Sequence, residues 1–410
     1  MIVAGGTYRE LVTTTHHSED IGGSGFRAAA ALPAATTTLV TAVEPELTKL
    51  LAGAAQIFEF TVVDHGRDKP VGFDYFTPFV QPVLRGFGAR LNAPHTVESA
   101  DVLAFGLVEI GLRTFDVETL VYDPQSVDDP GLAEIADVKR RKFALCANTS
   151  EIDAIGRGQS LAESAMLAGR RLLADVVVAK AGGRGCLVTD VASGRQQWVG
   201  AIPTSDVWKL GSGDVFSAGF AHAWVNGADA VQAANVASHS AAWWCATRSN
   251  RVPDEILAGQ DHLIPGASAQ LNNAGAQPSV YLAGPFFTVA ERWLVDACRD
   301  FLVQAGATVF SPVHEVGLGG PEVAKQDLDG LANSGVVFAL LDGWDPGTLF
   351  ETGWARHADI PTVAVAANLD ALGTTMLQGT GAELHTDVTT ALYRAIWRGL
   401  GAPTRNDGIG

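Results

Sequence analysis

The sequence predicts an α/β protein with two unequal domains, the smaller one on parallel-type strands. Three observations lead there. Short apolar runs, at 143–147, 176–179 and 336–341, end in polar or glycine-rich turns, as strands buried on both faces do. Stretches with helical spacing alternate with them, at 26–32, 215–224 and 289–304. Residues 263–278 carry neither period and many small, turn-prone residues, which marks a linker between residues 1–262 and 279–402, with a polar tail at 403–410.

Composition narrows the function classes. At 410 residues the chain has room for two or three domains, and 47% hydrophobic with 18% charged residues suits well-cored α/β domains. A formal net charge of −17 disfavours nucleic acid or an anionic membrane as partner, while leaving anionic small molecules open. The four cysteines (Cys146, Cys186, Cys245 and Cys298) stand singly, without metal-ligand spacing. His16, His17 and His314 also lack partners at that spacing. No basic segment followed by an apolar run opens the chain and no stretch reaches the length of a membrane span, so a cytoplasmic protein is expected.

The first domain opens on a strand at 1–6, followed by Thr7-Tyr8-Arg9-Glu10. Gly22-Gly23-Ser24-Gly25 then leads into the alanine-rich helix at 26–32, a place where sugar hydroxyls could approach the backbone closely. Residues 58–83 read as a lid region. The strand at 120–123 ends in a polar turn, and that at 143–147 ends in Asn148-x-x-Glu151, a pattern that also caps a helix. A strand, the glycine turn Gly182-Gly183 and a second strand follow at 176–188. Finally Gly211-Ser212-Gly213-Asp214 enters an apolar helix, so successive N–H groups can converge on an anion beside a carboxylate. The plain alternative is a glycine-rich turn with an aspartate cap.

In this order the motifs resemble the ribokinase-like (PfkB) family of sugar and nucleoside kinases. The resemblance implies a three-layer α/β/α fold over about residues 1–262. It implies that Asp214 is the catalytic base, that Gly211, Ser212 and Gly213 form the anion hole, and that Asn148 and Glu151 organise Mg2+ and phosphate, Glu151 indirectly. Gly182 and Gly183 would contribute to the ATP site, and Gly22, Gly23 and Glu10 to the acceptor site. Two departures stand out: Trp208-Lys209-Leu210 precedes the glycine nest where the family has an acidic-threonine lead, and Glu10 is the nearest acidic residue to the first strand.

The second domain begins with Ser279-Val280-Tyr281-Leu282-Ala283-Gly284-Pro285-Phe286-Phe287, a short strand running into a Gly-Pro turn, and a helix at 289–304. Asp327 precedes the strand at 336–341. That strand leads through Asp345-Pro346-Gly347-Thr348 to Glu351. Placed in the first turn of a helix, Glu351 would be held ionised by the dipole and free N–H groups, fit to attack an electrophilic carbon. Thr348-x-x-Glu351 is equally a capping box. Strand ends and helix starts would gather Tyr281, Asp327, Asp345 and Glu351 where open α/β sheets bind ligands. The ordered set resembles the nucleoside 2-deoxyribosyltransferase family over about residues 279–400, which implies a smaller Rossmann-like (flavodoxin-like) parallel sheet. It implies Glu351 as nucleophile, Tyr281 orienting it, Asp327 and Asp345 on sugar hydroxyls or the leaving base, and Gly284 and Gly347 near substrate, with no cofactor. Homo-oligomerisation is expected from family likeness alone.

The sequence thus leads to the expectation of a bifunctional enzyme of sugar, nucleoside or nucleotide metabolism. One half would use ATP and Mg2+ to phosphorylate a hydroxyl, and the other would cleave or transfer an N-glycosidic bond. The alternative is an N-glycoside hydrolase whose kinase-like half only senses a nucleotide.

Overall fold

The computed structural model describes residues 1–13, 18–126, 128, 135, 138–260, 262–317, 319–367 and 371–401; His16, His17 and the expected tail lie outside them. The chain divides into two compact units. The first comprises Met1–Val199 and Trp208–Pro265, and the second Gly200–Val207 and the chain from Gly266 onward. Within the second unit Ser268, Gln270 and Leu271 donate hydrogen bonds to the carbonyls of Pro203, Gly200 and Ala201. The middle of the expected linker, at 268–271, is therefore hydrogen-bonded to 200–203, and residues 200–207 group with the unit that follows rather than the one that surrounds them in sequence.

The first unit contains β1 (Ile2–Ala4), β2 (Tyr8–Val12), β3 (Ser18–Gly22), β4 (Thr38–Thr41), β5 (Thr61–Asp64), β6 (Gly72–Tyr75) and β7 (Val83–Arg85). It continues with β8 (His95–Phe105), β9 (Arg113–Asp123), β10 (Lys142–Asn148), β11 (Val176–Lys180), β12 (Gly185–Asp190) and β13 (Gln196–Gly200), whose last residue groups with the second unit. Among the described residues these form a nine-stranded sheet, in the order β13-β12-β11-β10-β9-β8-β1-β4-β5, and a four-stranded sheet, β3-β2-β6-β7. All neighbours from β11 to β5 pair in parallel, and β12 runs antiparallel to β11.

Alternation along the central strands assigns the faces. Leu120, Tyr122, Phe143, Leu145 and Ala147 join a core with Ile152, Ile155, Ala165 and Ala168 of the helices α3 (Thr149–Gly156) and α4 (Leu161–Leu172). The preceding helices, α1 (Ser24–Ala31) and α2 (Pro45–Phe58), follow β3 and β4. Helix α5 (Ser212–Val225) packs on α1 and on α6 (Ala230–Thr247), away from α3 and α4, and is buried on nearly all sides. That explains its near-absence of polar residues, and makes the buried Asp214 and Ser217 notable. Sheet polarity sets the chemistry: Asp123, Asn148 and Lys180 are the last residues of β9, β10 and β11, on the edge where parallel sheets receive ligands.

The lid region expected at 58–83 supplies β5, β6 and the start of β7. At the base of the small sheet lies a closed ionic knot. Arg67, fully buried, donates to Glu44, to Glu109 (2.8 Å) and to the carbonyls of Thr7 and Ala42 (both 3.0 Å), while the Tyr8 hydroxyl donates to Glu109 at 2.9 Å.

The second unit has β14 (Ser279–Ala283), β15 (Thr308–Phe310), β16 (Val336–Leu340), β17 (Thr362–Val365) and β18 (Glu383–His385), an all-parallel sheet in the order β15-β14-β16-β17-β18. The order reverses between β14 and β16, the doubly wound arrangement of flavodoxin-like sheets. A short helix α7 (Asp254–Leu257) closes the first unit. In the second, α8 (Val289–Gln304) spans the residues its spacing predicts, followed by α9 (Pro312–Glu315), α10 (Pro321–Ala332), α11 (Pro346–His357), α12 (Ala371–Gly379) and α13 (Val388–Gly399). No helix among the described residues is long and apolar enough to cross a membrane.

Breaking the Arg67 knot takes the shared buried cation from two buried carboxylates. Arg67→Met is expected to lower stability by about 3–5 kcal/mol, read as a fall in the urea midpoint of the first unit's unfolding transition, with the second unit's transition unmoved.

Candidate functional site

In the first unit Glu10, Gly22 and Gly211 come together with Asp214 at the start of α5, through Arg27. Gly211 caps that helix in the left-handed region (φ 81°), as a turn into a helix with converging amides requires. Asp214, in the first turn, is buried, but it does not face an open nest. Its Oδ2 accepts from Arg27 Nε of α1 at 2.8 Å, and its Oδ1 accepts from Gln125 Nε2 at 3.3 Å. Arg27 Nη1 in turn donates to Glu10 Oε2 on β2 at 2.7 Å, and Glu10 Oε1 accepts from Gly23 N at 3.0 Å.

Two glycines are bare for reasons the sequence reading did not anticipate. A Cβ on Gly211 would stand 2.2 Å from Arg27 Nε, and one on Gly22 would stand 2.3 Å from the Glu10 carboxyl carbon. Gly23 is pressed on the Gly6 carbonyl. At these three glycines the place of a Cβ is therefore filled by the protein's own atoms. Gly213 remains clear, with only Lys180 Nζ near, at 3.8 Å from its would-be Cβ. Ser212 is the first residue of α5, and Gly182 (φ 56°) and Gly183 lie in the turn after β11.

Behind Asp214 sits a second chain of polar groups, unmarked in the sequence reading. Lys180 and Ser217 Oγ (2.7 Å) both donate to Asp123 Oδ2, and Asp123 Oδ1 is buried without a hydrogen-bond partner among the described residues. Asn148 and Glu151 form a reciprocal capping box at 2.8 and 2.9 Å, so the pattern does cap α3. Burial first, then the Asp123 charge, pushes the Glu151 carboxyl up to about 7. A buried carboxylate oxygen without a donor, beside a carboxyl that resists ionisation, fits a hydrated cation. Burial also raises Asp214, against the opposing pull of Arg27, while Lys180, which burial alone would lower, is raised by Asp123, Cys146 and Glu151 together.

In the second unit the strand-end picture needs correction. Helix α11 starts at Pro346, and its cap is Asp345, whose Oδ2 accepts from Thr348 N (2.7 Å) and Thr348 Oγ1 (2.9 Å). Glu351 therefore lies in the second turn, neither capping the helix nor facing its free N–H groups. Tyr281 sits within β14 and Asp327 within α10, so neither is at a strand end or helix start. They converge nevertheless. The Tyr281 hydroxyl donates to Glu351 Oε1 at 2.7 Å, and its ring stacks on Phe310 with centroids 5.5 Å apart. Burial pushes Glu351 up to about 7. The Tyr281 hydrogen bond opposes that shift, while Asp327 and Asp345 reinforce it. The helix start does not hold it ionised. Asp327, itself raised by burial, keeps Oδ1 buried and without a partner among the described residues.

Gly284 has a packing role, since a Cβ there would meet Leu340 and Val295 at 3.2–3.3 Å, and Gly347 lies against the Asp345 carboxylate. His314 bonds to Ser311 (2.9 Å) and Asp296 (3.0 Å), and no group of three metal-type ligands occurs among the described residues. Two clefts, of about 280 and 320 Å3, lie along Phe286, Arg292 and His314 and along Arg9, Gly72 and Arg85; neither is lined by Asp214 or Glu351.

Residues 280–387 match the nucleoside 2-deoxyribosyltransferase family, and residues 115–256 match the pfkB family of carbohydrate kinases. Two family models thus match separate parts of one chain. No curated protein matches it. Similar solved structures include ribokinase from Thermotoga maritima (14% identity, 63% of this chain and 97% of that one, TM-score 0.49). Adenosine kinase from Sinorhizobium meliloti is similar at 12% identity (63% and 97% covered, TM-score 0.49), as is phosphofructokinase-2 from Escherichia coli at 12% (63% and 98%, TM-score 0.47).

A carboxyl with a folded-state pKa of about 7, against an ordinary 4.5, favours the fold when protonated. That contribution is whole below pH 4.5 and lost as pH rises through 7. Glu351→Gln, neutral throughout, is expected to melt above the wild type at pH 8 and level with it near pH 4, in paired calorimetric scans.

Proposed function

We propose that the second unit cleaves or transfers the N-glycosidic bond of a nucleoside or nucleotide, with Glu351 as nucleophile. The observation that carries this reading is the 2.7 Å hydrogen bond from the buried Tyr281 to Glu351, next to the unpartnered Asp327 oxygen. The ionised Glu351 would attack the anomeric carbon as the carbon–nitrogen bond breaks. The electron pair leaves with the base, which takes a proton from Asp327 or solvent. Water, or a second base that gives up its N–H proton, would then displace the carboxylate with net retention. Tyr281 holds one carboxylate oxygen so that the other points at the sugar, and Asp327 would bind a hydroxyl when ionised. Asp345, with one oxygen committed to Thr348, is the weaker candidate for either role.

For the first unit we propose phosphoryl transfer to a sugar or nucleoside hydroxyl. Asp214 would take the hydroxyl proton and the Gly213 amide would face the phosphoryl oxygens, because Ser212 N and Asp214 N already donate to the carbonyls of Lys209 and Gly211. Asn148, Gly182 and Gly183 would line the nucleotide position and Glu151 would hold Mg2+ through its water shell; the ion supplies charge neutralisation for the phosphates. A second reading, in which this unit binds a nucleotide and transfers nothing, is favoured by one observation: both oxygens of Asp214 are already engaged.

Separate incubation of Asp214→Asn and Glu351→Ala with a nucleoside and nucleotide panel, with and without MgATP, tests these proposals. ADP formation should fall only in the first and base release only in the second; ADP from neither protein leaves the binding-only reading. Because the nucleophile must be ionised, base release should rise with pH through about 7. Tyr281→Phe removes a donor to the ionised form, so that limb should move to higher pH and the rate fall roughly ten- to a hundredfold. A limb that stayed near 4.5 would argue against Glu351 as the attacking group.

A further inference from the structure

We propose that Arg27 is the positioning residue for Asp214, a fixed guanidinium that orients its carboxylate and ties it to the Glu10 strand of the small sheet. The inference deepens the phosphoryl-transfer reading of the first unit and rests on it for its catalytic meaning, though the geometry stands by itself.

The arrangement is built at both ends. Arg27 binds Asp214 through Nε at 2.8 Å and Glu10 through Nη1 at 2.7 Å, with the three side chains 7–12% exposed. Glu10 is fixed in turn by Gly23 N at the start of α1. Gly211 and Gly22 leave the room this chain of charges needs, because a Cβ on either would collide with Arg27 or Glu10. On the other side Gln125, held at φ 60° in a backbone region costly for its type, turns its amide to the second Asp214 oxygen. Asp214 Oδ2 is thereby committed to the guanidinium, and Oδ1, with a single long contact, is the oxygen free to exchange Gln125 for an acceptor hydroxyl.

A buried carboxylate with no cation beside it protonates and is lost as a base. The charged and titratable groups around Asp214 are Arg27 on α1, Glu10 on β2, Tyr75 on β6, Asp123 and Lys180 at the ends of β9 and β11, and Glu151 on α3. Burial and Asp123 push it toward the neutral form; Arg27 opposes them by contact and Lys180 from farther off. Glu10 competes for the same guanidinium. Removing Arg27 and removing the Glu10 charge should therefore move Asp214 in opposite directions, which a merely structural role would not do.

The test follows the Asp214 carboxyl directly, in protein labelled with 13C at the aspartate side-chain carboxyl, the resonance being identified by its loss in Asp214→Asn. Arg27→Met should raise its apparent pKa by about one unit or more. Arg27→Lys keeps the charge without the fork and should raise it less, and Glu10→Gln should lower it. The acidic limb of ADP formation should follow the same order. If Asp214 titrates alike in the wild type and Arg27→Met, or if ADP forms with an unmoved pH profile, the assignment is overturned. If the carboxyl shifts as stated while no acceptor yields ADP, the phosphoryl-transfer reading fails and the hold of Arg27 on Asp214 stands.

Discussion

Burying a carboxylate near the edge of a sheet requires a donor or a cation at contact distance, and most of the local architecture in both units follows from that requirement. Asp214 has Arg27, Asp123 has Lys180 and Ser217, Glu44 and Glu109 share Arg67, and Glu351 has Tyr281. Each partner arrives from a distant part of the chain, so each pair fastens two or more elements together. The glycines at 22 and 211 are part of the same requirement, since they clear the volume in which the charges meet.

The nature of the partner sets what the carboxylate can do. In the first unit the partners are cations, which favour the ionised form of Asp214 against its burial. In the second, Glu351 is given only a neutral phenol, with two further carboxylates near it, and it rises to about 7. A group poised there exists in both forms at neutral pH, so it can attack as an anion and leave as an acid without a large energetic penalty in either state. Two acidic residues with similar sequence settings, each a few residues past a glycine-containing turn, are thus both raised by burial and differ in what opposes the rise, a guanidinium at Asp214 and a phenol at Glu351.

Legibility from sequence followed range. Apolar runs and turn residues are local signals, and they marked the strands at β10, β11, β14 and β16 and the helices α5 and α8 well. The pairing of Tyr281 with Glu351 forms from the middle of β14 and the second turn of α11, not from the strand ends and helix starts the sequence pattern suggests. Details of capping were not legible. Pro346 at the first helical position makes Asp345 the cap and moves Glu351 one turn inward, a distinction of three residues that a capping pattern alone cannot draw. Arg27 was missed altogether: it lies in an alanine-rich helix, 187 residues from Asp214. A lone arginine amid alanines with helical spacing was the available sign, since a helix with so little polar surface has nowhere to put a guanidinium except against an acid.

The same reasoning accounts for why glycine motifs mislead. A glycine followed by a helix is equally what a phosphate nest needs and what a close side chain needs, because both require that no Cβ intrude. At Gly213 the space is clear except for the distant Lys180 amine, as an anion site demands; at Gly211 and Gly22 it is taken by Arg27 and Glu10. The two cases differ only in whether a charged residue elsewhere reaches in, a property of the tertiary fold. A glycine-rich turn in sequence therefore defines a volume kept free of side-chain carbon at that residue. What occupies the volume is decided by the nearest unpaired charge, and here, at two positions out of three, that charge belongs to the protein itself.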